Sequence, residues 1–291
     1  MVRFSKLPFR LLVRKYGCDV TYTSMIMSDS FRLSAAKRSH EFVTSQDETG
    51  PVITQFAANT VEDFIGASQL VVGYCDGVDL NCGCPQKWAM HEGYGAALLY
   101  SPQKIFDIVR QFRNQVEHEA AFSMSVKLRL LSSLNETVDL YRQIEKCGVS
   151  FIGVHSRTHQ MRTEPADHDQ LAEIKKSLQI PVVANGDCFN LEDYRLISEK
   201  TKAHGVMSAR GLLENPALFA GYENTPLCCI EDFLKLCVKY GFNFVSFKKL
   251  FYWMIERNCS KSERLNILAC NSMSQFLDYF KDNFNSDFSI R

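Results

Sequence analysis

The chain has 291 residues, 46% of them hydrophobic, with 33 Lys plus Arg against 33 Asp plus Glu. That length suits one large domain and a small one, and the apolar share excludes a disordered chain. The balanced charge excludes a globally basic nucleic-acid binder, so any such contact has to come from a local patch. No apolar run approaches 18 residues and no secretory leader is visible, so membrane spanning is not expected. The eleven cysteines then read as reduced thiols of a cytoplasmic protein, with nucleus and mitochondrion left open. Cys82 and Cys84 make a Cys-x-Cys with no second pair and no histidine in register, so no metal is expected.

A helix over 7–16 comes first, and a strand over 20–25 follows. Further strands are expected over 52–57, 77–80, 122–130, 149–155, 180–184 and 203–207, with amphipathic helices between them. Ser101 and Pro102 read as N-cap and N1 of a helix with Ile105, Val109, Phe112 and Val116 on one face. A helix over 135–147 stops at Gly148, and Asn190 with Asp193 opens another. This alternation implies a parallel sheet with helices outside. Seven strands are visible where a (β/α)8 barrel has eight, and the missing one would be the first, since a helix precedes the first visible strand.

After about Thr225 the pattern turns helical, with a capping box at Ser260 to Glu263 and aromatics at Phe247, Phe251, Trp253, Phe276, Tyr279 and Phe280. From Glu231 onward nine basic residues face seven acidic ones, a slight basic character. The expected fold class is therefore α/β. A TIM barrel over 1–224, lacking its first strand in this chain, is followed by a small all-helical domain over 225–291.

The chemistry concentrates at the expected strand ends. Asp76 to Pro85 reads Asp-Gly-Val-Asp-Leu-Asn-Cys-Gly-Cys-Pro, a buried strand running into a turn. Gly83 permits a tight bend and Pro85 restricts Cys84, so a thiol is held past the end of a strand. Such a thiol can act as nucleophile, metal ligand or proton donor. Asn81 offers a donor and acceptors to a heterocycle. Lys127 and Arg129, two apart, share one side of a strand. Gln55 is an odd amide for a buried strand, and His155 ends another with Arg157 just beyond. Asn185-Gly186-Asp187 and Ala209-Arg210-Gly211 follow the last two strands, where barrels build phosphate sites, with a short helix over 212–219. A phosphate anchor, a lysine, a histidine, a glutamine and a thiol suit a phosphorylated aromatic cofactor, and FMN fits best. No Gly-x-Gly-x-x-Gly fingerprint is present.

These residues resemble the tRNA-dihydrouridine synthases. The resemblance rests on Gln-Phe-Ala-Ala-Asn at 55–59, Asp-Leu-Asn-Cys-Gly-Cys-Pro-Gln-Lys at 79–87 and Gly-Tyr-Gly-Ala-Ala-Leu at 93–98. Val-Lys-Leu-Arg at 126–129, Val-His-Ser-Arg-Thr at 154–158, Asn-Gly-Asp at 185–187 and Ala-Arg-Gly at 209–211 extend it. Trp88-Ala89-Met90 and the compact tail make it most similar to the eukaryotic branch acting at D-loop positions 20a and 20b. The resemblance implies an enzyme that uses FMN and NADPH to reduce uridine in tRNA to 5,6-dihydrouridine. It implies hydride delivery to C6 and a proton from Cys84 to C5. Asn81, Arg129 and Arg157 would meet the substrate. Met1, Val2, Gln55, Lys127, His155, Asn185, Gly186, Asp187, Ala209 and Arg210 would hold FMN. The family has a Pro-Met-Val-like turn where this chain has Met1 and Val2, and usually glycine where Ser156 stands. Two other readings compete: a barrel that binds RNA without turnover, and an FMN oxidoreductase acting on a free pyrimidine. Oligomeric state is not legible.

Overall fold

A computed structural model of the chain describes residues 3–284, so the expected cofactor contacts Met1 and Val2 lie outside the described residues. Eight strands form one sheet: β1 (Thr21–Tyr22), β2 (Ile26–Met27), β3 (Val52–Ala57), β4 (Gly77–Asn81), β5 (Ser123–Arg129), β6 (Phe151–His155), β7 (Val182–Asn185) and β8 (Gly205–Met207). All pairings are parallel, in the order β1-β3-β4-β5-β6-β7-β8, with β2 also on β3. Helices Val61–Gln69, Pro102–Gln115, Leu134–Lys146, His168–Ser177 and Leu191–Thr201 follow β3 to β7 in turn, each returning the chain for the next parallel strand. This is the barrel-type α/β sheet, with seven strand positions and no pairing between β8 and β1 among the described residues. Ser5 borders that side: its hydroxyl donates to the Tyr22 carbonyl, and its own carbonyl accepts from the Ser24 amide.

The strand expected over 20–25 is two short pieces. Tyr22 pairs with Ile53 and Ile26 with Phe56, so four steps on one side match three on the other. The surplus residue makes a β-bulge, a device common beside functional sites. Within it the Thr23 hydroxyl accepts from the Gln55 amide at 3.0 Å.

β4 and β5 read as nearly continuous buried runs because helices cover one face and the sheet interior the other. Pro102 occupies the first turn of its helix as expected, although the Ser101 side chain makes no cap bond. Asn190 does cap its helix, accepting from Asp193 N at 2.8 Å. The described residues close with helices Leu227–Lys239, Phe244–Met254, Lys261–Ala269 and Met273–Phe284, the third opened by the expected Ser260–Glu263 capping box.

The tail is not sealed off from the sheet. Phe233, Phe247, Phe251 and Phe276 belong to the same buried cluster as Phe9, Leu12 and Val13 of the helix Leu7–Lys15. Phe247 and Phe251 each meet Phe276 edge-on, at 4.9 and 4.8 Å. Tyr16 donates to Asp232 at 2.8 Å on the same seam. No described helix is long and apolar enough to cross a membrane, and all eleven cysteines are free.

Candidate active site

Parallel register stacks the candidate residues in rows. Gln55 lies opposite Asp79 and Asp79 opposite Ser125; one floor nearer the strand ends, Asn81 faces Lys127. Above them Arg129 faces His155, and His155 faces Asn185. Residues two apart on a strand share a face, so these rows line one interior wall.

The turn after β4 is built by Asn81. Its Oδ1 accepts from Gly83 N at 3.1 Å and from Cys84 N at 2.9 Å. An asparagine side chain thus replaces the next strand partner for two backbone amides. Gly83 is not among the residues with positive φ, so the expected glycine-driven bend is an asparagine-driven one. Cys84 is 9% exposed and packs with Met25, Ala57, Ala89 and Tyr94. Gly95 fits against it because a β-carbon there would come within 2.6 Å of the Cys84 carbonyl oxygen. Cys82 points into the main core, fully buried, and burial pushes its thiol far above the usual range.

Lys127 crosses from β5 to β7. Its Nζ donates to Asn185 Oδ1 at 2.8 Å, and Asn185 Nδ2 donates to the Met207 carbonyl at 2.9 Å. Gly153 makes the path: a β-carbon there would meet Lys127 Cδ at 2.7 Å. A glycine inside a strand is the sequence signal for such an approach. Burial, then the neighbouring Arg129 charge, lower Lys127 from 10.5 to about 7, against the pull of Asp79. Burial lowers Arg129 to about 10, with Arg157 adding to it. Arg129 is tied down by bonds to the carbonyls of Gly83 at 2.7 Å and Thr158 at 2.8 Å.

A cavity of about 370 Å³ opens beside these rows, lined by Arg129, His155, Asn185, Gly186, Ala209 and Arg210 among others. Burial pushes the His155 imidazole down to about 2, helped by Lys127, Arg129, Arg157 and Arg210. The ring is therefore neutral, and its Nε2 faces Arg157 Nη1 at 3.2 Å, which assigns the proton to Nδ1. Asp187 is the counter-charge. It accepts two bonds from Arg157 Nη2, at 2.6 and 2.7 Å, and one from Ala166 N at 2.7 Å. Burial raises its carboxyl, but Arg157 and the Ala166 amide outweigh burial and hold it below the usual value. Arg157, 2% exposed, also donates to the Glu164 carbonyl at 2.5 Å. Its donors are committed to the protein, and it serves the pocket by holding Asp187. Arg210 remains half exposed, 3.6 Å from Asp187 and 5.4 Å above the Phe189 ring.

Gly211 lies so close to Cys188 that a β-carbon would meet its carbonyl oxygen at 2.3 Å, and Gly186 has φ +130°. The helix expected over 212–219 is instead Arg210–Glu214 followed by a 3₁₀ turn at Leu218–Ala220. Pro216 accounts for the break, since it drives Asn215 into the extended region, at φ −146°. Ser156 is fully buried and its hydroxyl has no partner among the described residues.

Asp79 and Ser125 went unassigned in the sequence. Asp79 is completely buried, accepting from Ser125 Oγ at 2.7 Å and from Gln55 Nε2 at 2.9 Å. Burial pushes it up to about 6 against those bonds and the Lys127 charge. Gln55 Oε1 in turn accepts from Asn81 Nδ2 at 2.9 Å. Among the described residues no group of three His, Cys, Asp or Glu is placed to hold a metal.

The chain matches the family described as "Dihydrouridine synthase (Dus)" across residues 1–291. It is 46% identical over 287 residues to a Mus musculus protein named tRNA-dihydrouridine(20a/20b) synthase [NAD(P)+]-like, covering 99% of this chain and 88% of that one. A Homo sapiens protein of the same name is 45% identical, with 98% and 89% covered. The Schizosaccharomyces pombe tRNA-dihydrouridine(20a/20b) synthase [NAD(P)+] is 43% identical, with 98% and 86% covered.

Proposed function

The chain belongs to the dihydrouridine synthase family, and from that premise we propose that it reduces a uridine of the tRNA D-loop, at position 20a or 20b, to 5,6-dihydrouridine. FMN is the resident cofactor in this reading and NADPH the reductant. The observation that carries it is the pocket's charge. Arg129, Arg157 and Arg210 line it around a neutral His155, Lys127 lies behind them on Asn185, and Asp187 is the nearby carboxylate. That excess fits a phosphate and an electron-rich ring edge, and the cavity volume suits a ligand of that size.

Arg210, Gly186 and Ala209 are assigned to the phosphate end, and Lys127, Asn185, Gln55 and His155 to the ring. FMN, when bound, supplies the hydride for C6 of the uracil. Cys84 gives its proton to C5. Asn81 has one amide hydrogen left after bonding Gln55, while its Oδ1 already serves two backbone amides. It can therefore donate to a ring carbonyl, as uracil presents, and has little to offer an amino group in the same place. The tRNA is assigned to the mouth and to the helices between Leu227 and Phe284, where Lys249, Lys261 and Lys281 are exposed.

Flavin affinity tests the ring assignment. The ligand favours protonated Lys127, whose value in the free protein is about 7. Affinity should therefore fall as pH rises through 7, by up to about tenfold per unit. Below roughly pH 6 the phosphate loses its second charge and affinity should fall again. His155 stays neutral throughout. Titrating flavin-free protein with FMN by fluorescence should give a maximum between those limits, and Lys127→Met should remove the alkaline decline. Affinity flat or rising above pH 7 would remove Lys127 from the ring site.

A further inference from the structure

Asp79 sits in the middle of β4, fully buried, and no step proposed above uses it. It begins a chain of hydrogen bonds. Its Oδ2 takes Gln55 Nε2, Gln55 Oε1 takes Asn81 Nδ2, and Asn81 Oδ1 takes the amides of Gly83 and Cys84. The two ends of this chain are chemically one-sided. A carboxylate only accepts, and backbone amides only donate. Between such ends each side-chain amide has one orientation that matches donor to acceptor at every link. Turning Gln55 over would set oxygen against oxygen at Asp79 and N–H against N–H at Asn81.

We propose that Asp79 is a positioning residue for Cys84: it fixes the orientation of the Gln55 and Asn81 amides, and through them the backbone that carries the thiol and the one uncommitted hydrogen of Asn81. The inference rests on the assignment of Cys84 as proton donor. For orienting these amides polarity matters and negative charge does not; the pull of that charge on Lys127 bears on flavin affinity, so the comparison is made on flavin-saturated protein. An asparagine at 79 can still present its carbonyl to Gln55 while its NH2 group faces the Ser125 hydroxyl, which has the Val78 carbonyl at 3.5 Å as an alternative acceptor. A leucine of similar size cannot orient either amide.

The test compares flavin-bearing wild type, Asp79→Asn, Asp79→Leu and Cys84→Ala. Three quantities are read: the rate of uridine reduction in tRNA by protein already reduced with NADPH, the rate of that prior reduction, and the rate of Cys84 alkylation by iodoacetamide, followed by mass spectrometry. Asp79→Asn should stay within about threefold of wild type throughout, since it keeps every donor matched to an acceptor. Asp79→Leu should lose at least about tenfold in uridine reduction, because sub-ångström misplacement of a reacting group is expensive. Its rate of reduction by NADPH should fall less than its uridine reduction, since Lys127, Asn185 and His155 still meet the ring when Gln55 is disturbed, and its alkylation rate should change about threefold or more; general loosening of the fold would move all three together. Should Asp79→Leu not fold, Asp79→Ser, too short to reach Gln55, takes its place with the same expectations. Wild-type uridine reduction in Asp79→Leu, or equal impairment in Asp79→Asn and Asp79→Leu, overturns the inference. Full activity in Cys84→Ala would instead remove the assignment on which it rests, so the two failures are distinguishable.

Discussion

Cys84→Ala is expected to slow dihydrouridine formation by roughly 10²- to 10⁴-fold, the range that positioned proton transfer contributes, while the protein stays yellow. The thiol lies three residues beyond β4 on a turn whose backbone Asn81 holds, and Met25, Ala57, Ala89 and Tyr94 surround it. Removing one sulfur leaves that packing nearly whole, so the expected loss is chemical and not structural. Cys82→Ala is the matched control. Its sulfur is buried in the main core, so it should destabilise the fold by about 1 kcal/mol, near the cost of one buried methylene-sized group, and leave turnover within about threefold. Dihydrouridine measured in tRNA after a single turnover separates the two cases. Equal rates in wild type and Cys84→Ala would withdraw the proton-donor role.

The second large effect concerns stability. Asp187→Gly should cost on the order of 3 kcal/mol, because it strands the Arg157 guanidinium, 3% exposed, without its carboxylate. Glycine is the replacement that isolates the charge, since Asp187 has φ +52° and glycine adopts that conformation freely. That cost lies at the low end of the range for buried pairs, since the Asp187 side chain is itself 30% exposed. The reverse change, Arg157→Met, leaves a carboxylate that water can reach and should cost less. The pH dependence has a definite sign. Folding holds the Asp187 carboxyl below 3.8, so its contribution is complete above that pH and is lost as pH falls through the lower folded value. Urea unfolding should show this acid-side loss in wild type and not in Asp187→Gly. Added FMN should restore more stability to the variant than to wild type, with its phosphate standing in for the missing anion. Unfolding curves that coincide at pH 7 would mean that Arg157 does not depend on Asp187.

Strand ends were legible in the chain because parallel buried strands leave apolar runs, and the residue just past each run is placed by topology alone. His155 and Asn185, at the ends of β6 and β7, follow from that logic, whereas Gln55 and Lys127 stood out as polar side chains inside buried strands. Links across strands were not legible. The contact from Gln55 to Asp79 depends on the register of β3 on β4, and that of Lys127 with Gly153 on β5 and β6. No local pattern encodes an offset between strands 24 or 26 residues apart, which is why Asp79 passed as one more strand residue. The bulge at Thr23 was hidden for the same reason, since it exists only as a mismatch with β3. The short helix after β8 is a different case. Pro216 stands in the sequence, and the restriction it places on Asn215 is a local signal for the break, although the expected helix ran through it. Arg157 illustrates a further limit. A charged residue beside a pocket invites assignment to substrate, but its donors go to Asp187, His155 and a backbone carbonyl 7 residues on.

The most direct measurement mixes NADPH-reduced protein with unmodified tRNA in the absence of oxygen and follows colour and dihydrouridine together. The protein should be yellow as purified, bleach with NADPH, and regain its colour on meeting tRNA with one dihydrouridine formed for each flavin reoxidised. A protein that takes up no flavin, or whose reduced flavin persists in the presence of unmodified tRNA, would contradict the proposed function.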